Sequence, residues 1–134
     1  MIPNLEFMES IAGIYLGEPV QVHIQHMPGK LGLAWIDAGD RRHISLSQSM
    51  PDPESLFTFL HEVGHHYHQH ITLPDYKTSE LSTVLARNED DPALIARILE
   101  VHERKEREAD AFADKTLAEL TSKHGPDVVN LFWK

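Results

Sequence analysis

Between Phe59 and His70 the chain reads FLHEVGHHYHQH, which sets five of its ten histidines beside a single glutamate. His61, Glu62 and His65 form H-E-x-x-H. On a helix, residues four apart lie on one face, one turn from each other, so His61 and His65 can reach one metal ion. Glu62 then stands beside that ion, where a carboxylate can take a proton from a water that the metal polarises. A histidine-rich chain meets H-x-x-x-H easily by chance. A glutamate at the second position is far harder to meet, and it is the residue that hydrolytic chemistry needs.

At about 100° per residue, Leu56, Phe57, Leu60, Gly64 and Tyr67 form one apolar arc, with His61 and His65 at its edge. Gly64 costs roughly 1 kcal/mol of helix stability against Ala. On a packed face it admits a second backbone, so it is expected to bring a partner helix toward the metal. His68 shares the face of His61 and His65 and is a candidate accessory ligand or gate. His66 and His70 fall roughly opposite and read as solvated.

A catalytic zinc takes three protein ligands and keeps one position for water. The extended motif H-E-x-x-H-x-x-G-x-x-H requires Gly at 68 and His at 71, where this chain has His68 and Ile71. The third ligand must therefore come from elsewhere. The segment after Pro92 offers Glu100, Glu103, Glu106, Glu108, Asp110 and Asp114. Its apolar stripe is Ile95, Ile98, Leu99, Ala109, Ala113, Leu117 and Leu120, and Glu106 falls inside it. A carboxylate on the core side of a helix is costly unless it is paired or binds metal. Glu108 lies about 160° from Glu106 and reads as outer face. Asp110, one turn after Glu106, is placed to accept a hydrogen bond from the second nitrogen of a ligand histidine. Tyr67, Tyr76 and His102 are candidate donors to a developing oxyanion.

The elements that must carry these residues follow from periodicity. Residues 3–16 repeat as a helix that Gly17 and Pro19 end. VQVHIQHM, LGLAWI and RHISLSQ read as three strands of a small meander, with a turn at 37–40. Helical spacing resumes after Asp52 and Pro53, an N-cap followed by proline in the first turn, and continues until LPDYKT. A short helix is expected over 79–87. One long helix runs from Pro92 to about Lys123 and stops at HGP. Strands first and helices afterwards give an α+β domain over residues 1–134.

Composition narrows the function. The chain has no cysteine, which excludes disulfides, thiol nucleophiles and cysteine-type zinc sites, so a metal must sit on His, Asp and Glu. This suits the cytoplasm. The formal net charge is −9, and binding to nucleic acid needs a basic footprint. SIAGIYLG is short and lacks a basic flank, so no signal peptide is expected, and no run approaches a membrane span.

FTFLHEVGHHYH followed by EREADAFADKTL resembles the ImmA/IrrE family of small metallopeptidases, which pairs a HExGH helix with a downstream E-x-x-A-N/D-x-F-A segment. Here the second segment reads Glu106, Ala109, Asp110, Phe112 and Ala113. The resemblance covers roughly residues 20–120. It implies one zinc ion held by His61, His65 and Glu106, with Glu62 as general base. It implies a zincin-like arrangement, in which a small three-stranded sheet packs on the HExxH helix and the long ligand helix. It also implies a protein substrate, namely a helix-turn-helix repressor in a phage or mobile-element switch. The competing expectation is a non-catalytic, zinc-stapled protein-binding module of a regulatory gene pair. Glu62 favours the enzyme, since a structural site needs no base.

Overall fold

Among the described residues, the last strand in sequence is the middle strand of the sheet. The computed structural model describes residues 2–48, 52–71 and 92–133. Within them, β1 (Val20–Gln25), β2 (Gly32–Ile36) and β3 (Arg42–Ser47) are ordered β1-β3-β2. β2 and β3 form an antiparallel hairpin, with Ala34 opposite Ile44. β1 runs parallel to β3 on its other edge, with Val22 opposite the same Ile44. The meander expected from the sequence is thus corrected to a mixed sheet. Crossing one strand needs about 10 Å, and residues 26–31, turning at the left-handed Gly29 (φ 74°), are long enough to carry the chain past β3.

A central strand buries both faces, and β3 does so. Ile44 and Leu46 enter the main core. His43 and Ser45 are buried on the opposite face, where each finds a partner. His43 Nε2 lies 2.8 Å from Asp37 Oδ2, and Trp35 Nε1 donates to Ser45 Oγ at 3.0 Å. The Trp35 ring stacks on His43 at 4.0 Å. A half-polar strand can therefore sit in the middle without leaving polar groups orphaned.

Among the described residues, four helices accompany the sheet: α1 (Leu5–Leu16), α2 (Asp52–Tyr67), α3 (Pro92–His124) and the short α4 (Val129–Phe132). α1 starts at Asn4, whose side chain accepts from the Phe7 N–H, and ends at Gly17 in the left-handed region (φ 70°). Its Met8, Ile11 and Ala12 are buried. The chain ends are tied together, since the Asn4 N–H donates to Phe132 O at 2.7 Å and Pro3 bridges Trp133. α2 buries Leu56, Phe59, Leu60 and Val63 in a core shared with Val22, Ile44, Phe112 and Ala113. The short helix expected over 79–87 and Tyr76 lie outside the described residues.

α3 has 33 residues and α2 only 16, so α3 is longer by roughly 25 Å at 1.5 Å per residue. Among its described residues, only the second half is buried, through Ala109, Phe112, Ala113, Thr116 and Leu120. Ile95 and Leu99 are 36% and 55% exposed, so the stripe read along the whole helix is corrected to its C-terminal half. No helix among the described residues is long and apolar enough to cross a membrane.

Candidate metal centre

Two small residues set the distance between α2 and α3. A β-carbon on Gly64 would lie 3.1 Å from both the Cα and the carbonyl oxygen of Ala109. The helices therefore touch at the backbone there, as the glycine on the packed face predicted. The seam is centred on Gly64 and Ala109. By helical rotation, His61 and His65 fall to one side of Gly64, and Glu106 falls about 60° to one side of Ala109.

These three side chains converge. His61 Nε2 is 3.0 Å from Glu106 Oε2, His65 Nε2 is 3.1 Å from Glu106 Oε1, and the two Nε2 atoms are 3.0 Å apart. One donor atom from each lies within 4.8 Å of the others. The Glu106 side chain remains 41% exposed, so it faces an open seam rather than the core.

The donor chemistry fits a cation. His61 Nδ1 is 2.7 Å from Asp110 Oδ1, so its proton belongs on Nδ1, donating to that carboxylate. A neutral imidazole has one N–H, which leaves His61 Nε2 as a lone pair. It faces the Glu106 carboxylate at 3.0 Å, acceptor against acceptor, a contact that a positive ion between them satisfies. Asp110 stands as the sequence predicted, holding one ring from behind.

Glu62 is buried on the sheet side of α2. It fits because Gly32 of β2 has no side chain: a β-carbon there would meet Thr58 Cγ2 at 2.7 Å and Glu62 Cγ at 3.2 Å. Burial pushes the Glu62 carboxyl up to about 7; the Glu106 charge adds to this, while His61 and the Ala34 N–H oppose it. A carboxyl poised near neutral pH can both take and return a proton. Burial also drives the His65 imidazole down, to about 4.

The other histidines differ from expectation. His66, read as solvated, is 1% exposed. Its Nε2–H donates to His43 O at 2.8 Å, and its Nδ1 accepts from Arg42 Nη1 at 3.0 Å. α2 is covered on two sides, by α3 and by the sheet. Phe59, Val63 and His66 at i, i+4 and i+7 form a second buried stripe, and that spacing was the available signal. Burial pushes His66 down to about 4, although its bond to the His43 carbonyl opposes the shift.

His70, also read as solvated, has a side chain only 7% exposed. The helix ends earlier than the apolar pattern suggests. Gln69 takes a left-handed conformation (φ 54°), its N–H donates to His66 O, and the His70 N–H donates to His65 O. This is the Schellman closure, and it folds His70 back under His65. Glu108, read as outer face, meets this turn: its Oε2 lies 3.1 Å from His70 Nε2 and 3.7 Å from His68 Nδ1. Ala109, not Glu106, is the centre of the seam, so Glu108 flanks it on the other side. The His70 contact holds the Glu108 carboxyl below its ordinary range.

His68 is half-exposed and pairs with Glu108 rather than joining the three donors. The Tyr67 ring packs on Phe112 and borders a polar cavity of about 210 Å³ with Tyr15, Glu18, Arg42 and His66, on the side of α2 away from His61. His102 is exposed, one turn before Glu106. Compared with known proteins, the chain matches no family model, no curated protein and no solved structure.

Proposed function

We propose that this chain is a zinc-dependent peptidase of the ImmA/IrrE kind, with a zincin-like arrangement of its helices and sheet. The observation that carries the reading is the convergence of His61, His65 and Glu106 beside a buried Glu62. His61, His65 and Glu106 would hold the ion. Zinc, when bound, polarises the attacking water and the scissile carbonyl. Asp110 keeps the His61 lone pair aimed at the ion. Glu62 accepts a proton from the attacking water and hands it to the leaving amide nitrogen, so that one water is consumed and a carboxyl and an amine are formed. Positive charge in the site favours the ionised carboxylate that the first step needs. His68 pairs with Glu108 instead of joining the three donors, so among the described residues no fourth ligand closes the site, which favours a catalytic over a stapling metal. The substrate we propose is a protein, a helix-turn-helix repressor in a regulatory switch in the cytoplasm.

The test is cleavage of a repressor encoded beside this gene, followed by mass spectrometry. The zinc-loaded protein should give two fragments whose masses sum to the substrate plus one water. Glu62→Gln should keep its zinc and lose about 10²–10⁴-fold in rate. A Glu62→Gln protein with normal zinc and undiminished cleavage would overturn the mechanism.

A further inference from the structure

The two proposed ligand histidines are held from behind in different ways. Behind His61 stands a carboxylate, Asp110. Behind His65 stands another histidine: His65 Nδ1 lies 3.0 Å from His70 Nδ1, and His70 Nε2 lies 3.1 Å from Glu108 Oε2. Arg104 Nε sits 3.4 Å from the other Glu108 oxygen, and Lys105 Nζ donates to His70 O at 3.5 Å. The left-handed Gln69 and the Schellman closure deliver His70 to this position.

The proton positions along this line are determined by counting. Resting on the metal reading above, His65 Nε2 must present a lone pair, so its proton lies on Nδ1. Two nitrogens 3.0 Å apart share one proton, so His70 Nδ1 is the acceptor. A neutral imidazole carries one N–H, which puts the His70 proton on Nε2, pointing at the Glu108 carboxylate. Every donor in the line then meets an acceptor. We propose that His70, backed by Glu108, is a positioning residue that fixes the ring and tautomer of His65 for metal binding, as Asp110 does for His61. A carboxylate acts directly on one ligand and through a neutral imidazole on the other. The sequence H-x-x-x-x-H from His65 to His70 thus supplies a ligand and its own support across a helix end.

The experiment measures zinc affinity by competition with a chromophoric chelator, and ring tautomers by long-range ¹H–¹⁵N correlation in the zinc-bound protein. Partners behind a metal-bound histidine typically contribute about 10–100-fold to affinity, and His70→Phe, which keeps bulk but cannot accept, should lose about that much. His70→Asn places an amide oxygen near the lost Nδ1 and should recover most of the loss, which bulk alone would not explain. Glu108→Gln lies at the half-exposed edge of the turn and should fall between them, and it keeps the test open if His70→Phe does not fold. The wild-type spectrum should show His65 protonated on Nδ1 and His70 on Nε2. Full zinc affinity in folded His70→Phe and Glu108→Gln, or a proton on His65 Nε2, would overturn the inference and leave the metal reading intact. A wild-type protein without zinc affinity would overturn both.

Discussion

Gly64 meets the backbone of Ala109, and this contact sets the spacing at which Glu106 reaches His61 and His65. A methyl group on Gly64 would lie 3.0 Å from Phe112 Cβ and 3.1 Å from Ala109 Cα and O. Two of those three atoms are main chain and cannot rotate away. Gly64→Ala gains about 1 kcal/mol in helix propensity but overpacks the seam at a cost of about 1–3 kcal/mol. The expected outcome is a lower urea midpoint and weaker zinc binding together. A more stable variant with unchanged zinc affinity would show that the helices are spaced by something else.

Asp110 is tied to the proposed metal centre through His61 Nδ1, at 2.7 Å. Its side chain is 54% exposed, so Asp110→Ala should change unfolding stability by no more than about 0.5 kcal/mol, as is usual at the surface. Zinc affinity should nevertheless fall by about 10–100-fold. Chelator competition and a urea melt on the same preparation separate the two effects. Equal affinity in the variant would remove Asp110 from the site.

His66 gives the fold an acid sensitivity of calculable sign. Its folded pKa is lowered from 6.5 to about 4 by burial. Between those values the unfolded chain binds more protons than the folded one, so stability falls as pH drops through that window. The full shift corresponds to about 3 kcal/mol. Below about 4 the effect is complete, and above about 6.5 it is absent. Glu62, with its pKa raised to about 7, works in the opposite sense, so the comparison must hold it constant. His66→Gln keeps an N–H near the Nε2 position for the His43 carbonyl and cannot titrate. Urea midpoints of wild type and His66→Gln, measured at pH 7 and pH 4.5, should change by different amounts, with wild type losing more. Parallel losses would place the acid sensitivity elsewhere.

The core of the site was legible because it lies where both helices are regular. Between His61 and His65, and between Glu106 and Asp110, 100° per residue holds, and angular position alone placed these four side chains at the seam. The reading failed where that regularity stops. Gln69 closes α2 in a left-handed conformation that a glycine would have advertised, so His70 was projected along a helix that had already ended. Glu108 was misplaced by centring the face on Glu106 rather than on Ala109. His66 was missed because α2 is covered on two sides and only one apolar arc was counted. The sheet order eluded periodicity for another reason: alternation identifies strands and says nothing about which neighbours they choose.

The most direct measurement is the metal itself. Wild-type protein equilibrated with zinc and freed of excess should hold one ion per chain. Its X-ray absorption should show only nitrogen and oxygen neighbours at about 2.0–2.2 Å, the distances of imidazole and carboxylate ligands. Glu106→Ala should lose most of that zinc, since it removes one of three donors and leaves the helices folded. Wild type without stoichiometric zinc, or Glu106→Ala with unchanged zinc and an unchanged spectrum, would contradict the assignment of His61, His65 and Glu106 as a metal centre.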